Sequence, residues 1–436
     1  MFEGEVQIKL MEKLIKVLKD SPINDYKIKA VHSESAELFY VLNKLETSRA
    51  TNIEEYEVTI YIDREDKRGS ATFSYYPYMS EDELRKEIEK RIYAASFALN
   101  PYYEIPSKND AKLEENASNL KDFTLNEAAE KVAKAILKCN LGEGETFSAT
   151  EIFITKKTRR ILNSRGVDLS ETTYQGFIEL IPGYEKDGEE VETYNSFKFS
   201  NLVEEEITSK VKECMELTKA RFNAKPLKLE KPCKVIIEGE DVANYFEFFS
   251  YNLNYSQKFQ QINRFEVGQS MQGDNITGDK LNISLISNDK GCSDSTSFDG
   301  DGVVLHPVTL VKDGVVQNLH GPYNFGYYLK VENPTGVLPI LKVEPGSKSV
   351  EDMKKEPYVR CVKFSSFQLD DDSGFFGGEV RLGFYYDGEK EIPVTGFSIA
   401  GNLYEVKGKV NFSKEITVES NYIGPKYIEV KDMSIN

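Results

Sequence analysis

The chain has 436 residues, which exceeds the size of one ordinary hydrophobic core and predicts two or three domains. Its 55 Lys and Arg residues against 72 Asp and Glu residues give a formal net charge of −17. A surface of that sign repels phosphate, so we expect no nucleic acid partner. No apolar run reaches membrane-spanning length, no secretion signal opens the sequence, and the five scattered Cys form no C-x-x-C pair. We therefore expect a cytoplasmic protein with reduced thiols and no membrane partner.

The first part of the chain alternates helix and strand signals. Apolar residues recur at helical spacing over 5–19 and predict an amphipathic helix there: Val6, Leu10, Leu14 and Leu18. Strand-like patterns follow at 26–32, 37–45 and 54–62. Ser80 and Glu83 form a capping box, which predicts a helix from that point to about Leu99. The polar, proline-bearing stretch 100–122 predicts a linker.

A similar order of elements recurs after this linker. Thr124 and Glu127 form a second capping box and predict a helix to about Cys139. Strands are then predicted at 151–155, in a segment running into Asn163, at 169–181 and at 193–199, and a helix at 201–222. Strands followed by a helix, twice over, suggest an internal duplication of an α+β unit, with repeats at 26–99 and 151–222.

Lys225-Pro226 is the predicted domain boundary. Beyond it Gly and Asp become denser and the strand-like segments shorter, as is typical of a strand-rich domain with tight turns. The sequence thus predicts an α+β protein with an N-terminal α+β domain over 1–225 and a strand-rich C-terminal domain over 226–436.

The stretch Lys234–Tyr255 predicts a buried strand, an acidic turn at Glu238–Asp241 and a helix that carries aromatic residues. A strand followed by such a helix is a place to look for the H-E-x-x-x-H pattern, in which two His hold zinc and a Glu handles water. The stretch contains no His. At near-consecutive spacing its aromatic residues would cover all sides of a helix, so we expect most to be core and one or two to face a partner.

His306 and His320 are the pair that merits a metal argument. They lie symmetrically about Asp313 in a predicted hairpin, and a ladder that pairs them directly would bring their side chains to roughly 5 Å. They could then share a metal, with Asp299, Asp301 or Cys361 as further ligands. A two-residue Asp-Gly loop would instead shift the pairing by one and place the two imidazoles on opposite faces.

The remaining patterns supply no catalytic residue. Asp370–Asp372 and the Asp299-Gly-Asp301-Gly segment lack the ligand spacing of an EF-hand and are expected to be solvated acidic turns. Gly396-Phe-Ser398-Ile-Ala400 departs from G-x-S-x-G at its last position. We therefore assign no catalytic and no cofactor-binding residue.

Several segments of the C-terminal half resemble the TldD/PmbA family, whose members are often called modulators of DNA gyrase. The segments are Phe298–Val303, Leu319–Asn324, Val343–Gly346, Pro393–Gly396 and Ile399–Leu403, and Asn163–Val167 resembles a turn of the family's N-terminal domain. The resemblance spans nearly the whole chain. It implies a two-part protein that assembles as a dimer around an enclosed cavity.

The resemblance also implies that the family has two kinds of subunit with different roles. In the family, TldD-type subunits carry H-E-x-x-x-H and a later Cys as zinc ligands, whereas PmbA/TldE-type subunits lack them and pair with TldD. The pair is thought to cleave unfolded or leader peptides. Here the helix at 241–254 has no His and the final forty residues have no Cys, so no metal ligand and no catalytic residue is carried over.

We therefore predict a PmbA/TldE-like, non-catalytic subunit of a TldD/TldE-type metallopeptidase, with a TldD-like paralogous subunit or a second copy as partner and a peptide as substrate. No cofactor is expected in this chain, and zinc is expected in the partner. One alternative is a stand-alone hydrolase with a relocated metal site at His306 and His320. Another is a homodimeric peptide-binding scaffold. A TldD-like gene encoded beside this one would favour the first hypothesis over the scaffold.

Overall fold

The computed structural model describes residues 2–108, 110–114 and 116–436, with side chains described from Met11 onward. Leu14 and Leu18 of the predicted first helix are fully buried. The side chains of Val6 and Leu10 lie outside the described residues. Both predicted capping boxes are confirmed, because Ser80 with Glu83 and Thr124 with Glu127 exchange the paired hydrogen bonds at their helix starts.

The N-terminal half consists of long antiparallel strands flanked by helices. The described helices are α1 (Phe2–Lys19), α2 (Glu81–Ala95), α3 (Leu125–Leu137) and α4 (Glu204–Asn223), with a 3₁₀ turn at Asn119–Asp122. The described strands are β1 (Asp25–Val41), β2 (Lys44–Arg64), β3 (Lys67–Tyr75), β4 (Leu99–Pro101), β5 (Glu145–Asn163), β6 (Asp168–Lys186), β7 (Glu189–Glu192) and β8 (Asn195–Phe199).

These strands form one sheet in the order β4-β3-β2-β1-β5-β6-β7, and β8 also pairs with β6. At its centre β1 and β5 pair antiparallel from Lys27–Asn163 to Val41–Ala149. We call this β1–β5 pairing the seam. The same order of elements occurs on each side of it: a helix, a long hairpin, a shorter strand and a helix. On one side this is α1-β1-β2-β3-α2, and on the other α3-β5-β6-β8-α4, where β7 is inserted before β8. This order is what an internal duplication would produce, and the duplication itself stays a prediction.

Two predicted strand breaks are wrong. The segment expected at 26–32 and the segment expected at 37–45, as far as Val41, belong to one strand, β1. The predicted 37–45 strand also runs across the hairpin turn at Leu42–Asn43, whose φ angles are 46° and 62°, into the start of β2. The segments expected at 151–155 and before Asn163 are likewise one strand, β5. The polar residues Ser33, Glu34 and Ser35 gave the false break, because a strand with one face free of helices tolerates polar residues.

The C-terminal half contains shorter elements. Its described helices are α5 (Glu240–Tyr251), α6 (Tyr255–Phe259), α7 (Tyr323–Tyr328), α8 (Val350–Met353) and α9 (Leu403–Val406). Its described strands are β9 (Lys225–Pro226), β10 (Cys233–Glu238), β11 (Ile283–Ile286), β12 (Val308–Lys312), β13 (Val315–Val316), β14 (Ile340–Val343), β15 (Tyr358–Leu369), β16 (Phe375–Tyr386), β17 (Glu391–Thr395), β18 (Phe397–Asn402), β19 (Asn411–Phe412), β20 (Ile416–Val418), β21 (Tyr422–Pro425) and β22 (Tyr427–Ile435).

Two sheets organise this half. One has the order β15-β10-β22-β18-β16-β17-β9, and β15 also pairs with β16, which closes part of it into a ring. The other has the order β13-β12-β11-β14-β21-β20. Lys225 and Pro226, at the predicted boundary, pair with Val394 and Thr395, so the chain enters the first sheet at that point.

The observed architecture is the α+β class that the sequence predicts, with strands dominating the C-terminal half. One hydrophobic core lies between the two C-terminal sheets and encloses α5. Separate cores lie under α3 with α4 and under α1 with α2 in the N-terminal half. Among the described helices none is both long and apolar enough to cross a membrane.

Candidate functional site

Helix α5 follows the buried strand β10 across Gly239, whose φ of 81° is accessible to glycine at little cost. The predicted strand and helix are therefore confirmed. The acidic turn predicted at Glu238–Asp241 is shorter than expected, because Glu238 ends β10 and Glu240 begins α5. Four aromatic residues of α5 are at most 1% exposed: Tyr245, Phe246, Phe248 and Phe249. The ring of Phe246 lies 5.0 Å from that of Phe412, and the ring of Phe248 lies 5.5 Å from that of Tyr404. These aromatic side chains are core, as expected.

Tyr251, at the end of α5, is 42% exposed and is the aromatic residue of this helix available to a partner. The buried positions of α5 offer no imidazole or thiolate, and apart from Asp241 they are filled by aromatic and aliphatic side chains. The residues present therefore do not fit a zinc ion held in the manner of H-E-x-x-x-H.

His320 lies at the carboxyl end of α5. Its backbone N–H donates to the Leu253 carbonyl at 3.1 Å, and its carbonyl accepts from the Tyr255 N–H at 2.6 Å. Its ring Nε2 lies 2.9 Å from the Ser250 carbonyl, to which an Nε2–H donates. Burial lowers the pKa of His320, so the neutral ring is favoured. These contacts anchor the helix end to the loop after β13.

His306 is exposed, before β12. The β12–β13 ladder pairs Val311 with Val316 and Lys312 with Val315, so Asp313 and Gly314 form a two-residue loop. This is the register that separates the two histidines, and it does not support a shared metal at His306 and His320. Over residues 11–108, 110–114 and 116–436, no three side chains from His, Cys, Asp and Glu are grouped so that they could hold a metal ion.

Asp241 is the most unusual carboxyl of α5. It is 9% exposed, and burial, assisted by the charge of Glu240, raises its pKa to about 7. The amide of Asn244 is its hydrogen-bond partner at 3.4 Å. Cys361 on β15 is fully buried, and burial together with Cys233 and Asp241 raises the pKa of its thiol. A thiol held neutral in this way is not a nucleophile.

The two acidic turns differ from one another. Asp370–Asp372 lies in the exposed connection between β15 and β16, as expected. The prediction that Asp299 lies in a solvated turn is wrong, because its side chain is buried, with an exposed fraction of 5%. Its carboxylate accepts N–H bonds from Asp301 at 2.8 Å, Val303 at 3.0 Å and Val337 at 3.1 Å. It fixes a loop instead of presenting charge to solvent.

A polar cavity of about 350 Å³ lies between the helix-free face of the N-terminal sheet and the C-terminal segment 293–298. We call this segment the clamp loop. Arg159 on β5 pairs with Glu171 on β6 at 2.6 Å, donates to Thr296 and to the Phe298 carbonyl, and lies 4.3 Å from the centre of the Phe298 ring. The other carboxylate oxygen of Glu171 accepts the Ser297 N–H at 2.8 Å.

An aromatic stripe lies farther along the same face of the sheet. The rings of Phe39 and Phe153 are 5.6 Å apart, and those of Phe153 and Phe177 are 5.8 Å apart. Arg49 lies over Phe39 at 5.3 Å. An open surface with aromatic rings and charges of both signs can hold an extended chain through its backbone and side chains, but it presents no activated nucleophile.

Sequence reasoning missed Arg159, Glu171 and the clamp loop. The available signal was the charged and polar alternation on one face of two long strands, which indicates a surface free of helices. It does not show which distant loop covers that surface.

Residues 230–436 match the model of the PmbA/TldA metallopeptidase C-terminal domain. No curated protein sequence matches the chain.

Crystal structures with the same fold cover nearly the whole chain. TldE from Thermococcus kodakarensis is 16% identical, with 98% of this chain and 99% of that chain covered and a TM-score of 0.79. A proposed modulator of DNA gyrase from Thermotoga maritima is 16% identical, with 98% and 99% covered and a TM-score of 0.76. Another, from Bacteroides thetaiotaomicron, is 13% identical, with 100% of both chains covered and a TM-score of 0.80.

Proposed function

Since residues 230–436 make this chain a member of the PmbA/TldD family, we propose that it is a TldE-like, non-catalytic subunit of a cytoplasmic metallopeptidase complex. Its partner is a zinc-bearing, TldD-like paralogue, and its role is to form part of the chamber that holds unfolded or leader peptides. The observation that carries this proposal is the composition of α5. Its buried positions hold Tyr245, Phe246, Phe248 and Phe249 and neither a His nor a Cys.

The clamp-loop cavity and the aromatic stripe support the peptide-binding part of the proposal. They form a surface between the two halves of the chain that is open, polar at one end and aromatic at the other. Extended peptide can also add as a strand to an exposed sheet edge of the C-terminal half, where backbone bonds give affinity without demanding one sequence. The composition of α5 and the clamp-loop cavity together favour a role in peptide binding over a role in catalysis.

The test is to purify the chain alone and together with a co-expressed TldD-like paralogue. Metal content is measured by inductively coupled plasma mass spectrometry, and cleavage is measured on a fluorescent unstructured peptide. We expect no stoichiometric zinc and no cleavage from the chain alone. In the complex we expect about one zinc per pair and cleavage that requires both subunits.

Two results would contradict the proposal. Stoichiometric zinc in the chain alone, lost in His306→Ala or His320→Ala, would overturn the non-catalytic role and establish a hydrolase with its own site. A TldD-like paralogue that is fully active without this chain would overturn the subunit role.

A further inference from the structure

The helix-free face of the N-terminal sheet carries its side chains in rows, because directly paired residues of neighbouring strands point to the same side. Three rows across β5 and β6 differ in chemistry: Glu151 with Glu179, Phe153 with Phe177, and Lys157 with Thr173. Glu151 and Lys157 are six positions apart on one strand, which separates their rows by roughly 20 Å. The face therefore changes from carboxylates, through aromatic rings, to an ammonium group.

Ion pairs within the chain neutralise the other charged side chains beside these rows. The pairs are Arg49 with Glu37 at 2.5 Å, Arg159 with Glu171 at 2.6 Å, and Lys198 with Asp294 of the clamp loop at 3.8 Å. Glu151, Glu179 and Lys157 form no ion pair with any described side chain. The face is thus left with negative charge at one end and positive charge at the other.

The two carboxylates at the negative end lack a counter-charge. Glu151 and Glu179 are directly opposite on paired strands, where like charges destabilise a sheet. The Tyr194 hydroxyl donates a hydrogen bond to Glu179, but a hydroxyl does not neutralise the pair. Burial and the facing Glu179 raise the pKa of Glu151. An ammonium or guanidinium group placed between the two carboxylates would remove their repulsion.

The aromatic row indicates what kind of cation fits there. Phe153 and Phe177 are half-buried, and their rings stack at 5.8 Å directly beside the carboxylates. Aromatic faces attract ammonium and guanidinium groups, and the aliphatic stem of Lys or Arg packs against apolar surface while its charged head reaches outward. The rings would give a hydrated metal ion no comparable contact. The combination of rings and carboxylates therefore favours an organic cation with apolar groups beside it.

The positive end suits a carboxylate. Lys157 is exposed in the clamp-loop cavity, and the hydroxyl groups of Thr155 and Thr173 line the same cavity. An ammonium group with neighbouring hydroxyl donors can bind a carboxylate by charge-assisted hydrogen bonds. In the next row, Arg159 donates to Thr296 and joins the sheet to the clamp loop. The open part of the face therefore ends at Lys157.

We propose that this face binds an extended peptide that places a cationic group between Glu151 and Glu179 and a carboxylate at Lys157. An extended chain advances about 3.3 Å per residue, so the two peptide charges are about six residues apart. The cation is a Lys or Arg side chain or the terminal amine, and the carboxylate is an acidic side chain or the chain end. The inference rests on the peptide-holding role proposed above and adds the charge pattern that selects the peptide.

Isothermal titration calorimetry of the full chain with synthetic peptides tests the charge pattern. The probe is acetyl-Lys-Ala-Leu-Ala-Leu-Ala-Glu-amide, whose two charges are separated as the face requires. Replacing its Lys by Met, replacing its Glu by Gln, or shortening the spacing to three residues should each weaken binding about fivefold, the loss of one exposed ion pair. A heptapeptide of Ala and Leu with free ends, compared with its blocked form, shows whether chain ends can supply the same two charges.

Variants of the chain assign each peptide charge to its end of the face. Lys157→Met should abolish the preference for Glu over Gln in the peptide and keep the preference for Lys over Met. The double variant Glu151→Gln/Glu179→Gln should do the reverse. Lys186→Met, at an exposed position where β6 ends, is the matched control and should change neither preference.

Three results would overturn the inference: no saturable binding of the Lys–Glu peptide at millimolar concentration, equal affinity for all the peptides, or variants that weaken every peptide equally. Failure of the proposed function is a separate result, because it is measured as zinc and cleavage in the co-expressed complex. A chain that completes a cleaving complex but ignores the peptide charges would keep the subunit role and lose this inference. A chain that shows both charge preferences but is not needed for cleavage would keep the binding face and lose the subunit role.

Discussion

At the scale of single residues, Arg68 joins the edge of the N-terminal sheet to the segment that follows it. It is 2% exposed and pairs with Asp25 at 2.7 Å and with Asp63 at 2.6 Å. Its guanidinium also lies 4.8 Å from the centre of the Tyr102 ring. A buried cation with two carboxylate partners is costly to break, because removing it leaves negative charge without compensation.

Arg68→Met is expected to reduce the free energy of unfolding by roughly 3–5 kcal/mol, because Asp63 loses its guanidinium partner and Asp25 keeps only the more distant Arg165, at 3.4 Å. Urea unfolding followed by circular dichroism measures this loss. Arg64→Met, at the exposed end of the neighbouring strand β2, should change stability by less than about 0.5 kcal/mol. Equal effects of the two substitutions would contradict the role given to Arg68.

Asp241 gives a pH prediction. An unfolded Asp carboxyl titrates near pH ~4, whereas burial raises the pKa of Asp241 to about 7 in the folded protein. The unfolded state therefore loses its proton first as pH rises. The stability that depends on this group is complete below about pH 4, decreases up to pH 7 and decreases no further above it, at about 1.4 kcal/mol for each unit of pKa difference.

Asp241→Asn should therefore raise the melting temperature relative to wild type, by an amount that grows from pH 4 to pH 7 and then levels off. Thermal unfolding across that range measures the difference. Glu240→Gln is the matched variant, because removing its charge lowers the pKa of Asp241 and shrinks the pH dependence without abolishing it. A difference between wild type and Asp241→Asn that stays constant with pH would show that Asp241 is not a buried titrating group.

At the scale of elements, α5 combines a core role with one open position. Phe246 meets Phe412 edge-to-face and stacks on Tyr422, at ring distances of 5.0 and 6.1 Å. Tyr251 lies one and a half turns later and faces outward. The helix therefore carries two kinds of aromatic residue that mutation can separate.

Phe246→Ala should cost about 3–5 kcal/mol of unfolding free energy, because the cavity opens between two sheets that cannot collapse into it. Tyr251→Ala should cost less than about 0.5 kcal/mol, while weakening binding to a TldD-like partner or peptide if that face is used. Chemical denaturation of both variants gives the comparison. A loss at Tyr251 as large as that at Phe246 would place Tyr251 in the core and contradict its exposure.

Some helices and strands could be predicted from the sequence and others could not. Helix starts were predictable, because Ser80, Glu83, Thr124 and Glu127 carry local hydrogen bonds that need no tertiary contact. The length of β1 was not, because Ser33–Ser35 look like a break until β2 and β5 are known to pair with them on both sides. The clamp-loop cavity escaped prediction for a similar reason. Arg159 and Thr296 are distant in sequence, and no local pattern connects them.

At the scale of the whole molecule, the clamp loop couples the two halves of the chain. Ile161 and Val167 pack with Phe298 beneath it, and Asp301 is paired with Lys27 of β1. Glu171 is the carboxylate on which the polar part of this contact depends, because it binds both Arg159 and the backbone of Ser297.

Glu171→Ala should loosen the clamp loop without unfolding either half. Hydrogen exchange monitored by mass spectrometry should show peptides over 293–298 exchanging at least tenfold faster, because the Ser297 N–H loses its acceptor. Glu34→Ala is the control, since it removes an ion pair with Lys156 on the same sheet without touching the clamp loop. Unchanged exchange in Glu171→Ala would show that apolar packing alone holds the loop.

The β1–β5 seam also bears on biosynthesis. At 5–20 residues per second, translation takes on the order of ten seconds to pass from β1 to β5. During that interval the nascent chain carries a finished β1–β2 hairpin whose inner edge is bare and cannot be capped by anything yet made. The nascent chain is therefore prone to aggregate during this interval. Slowing translation over residues 100–145 should make the nascent chain more dependent on chaperones.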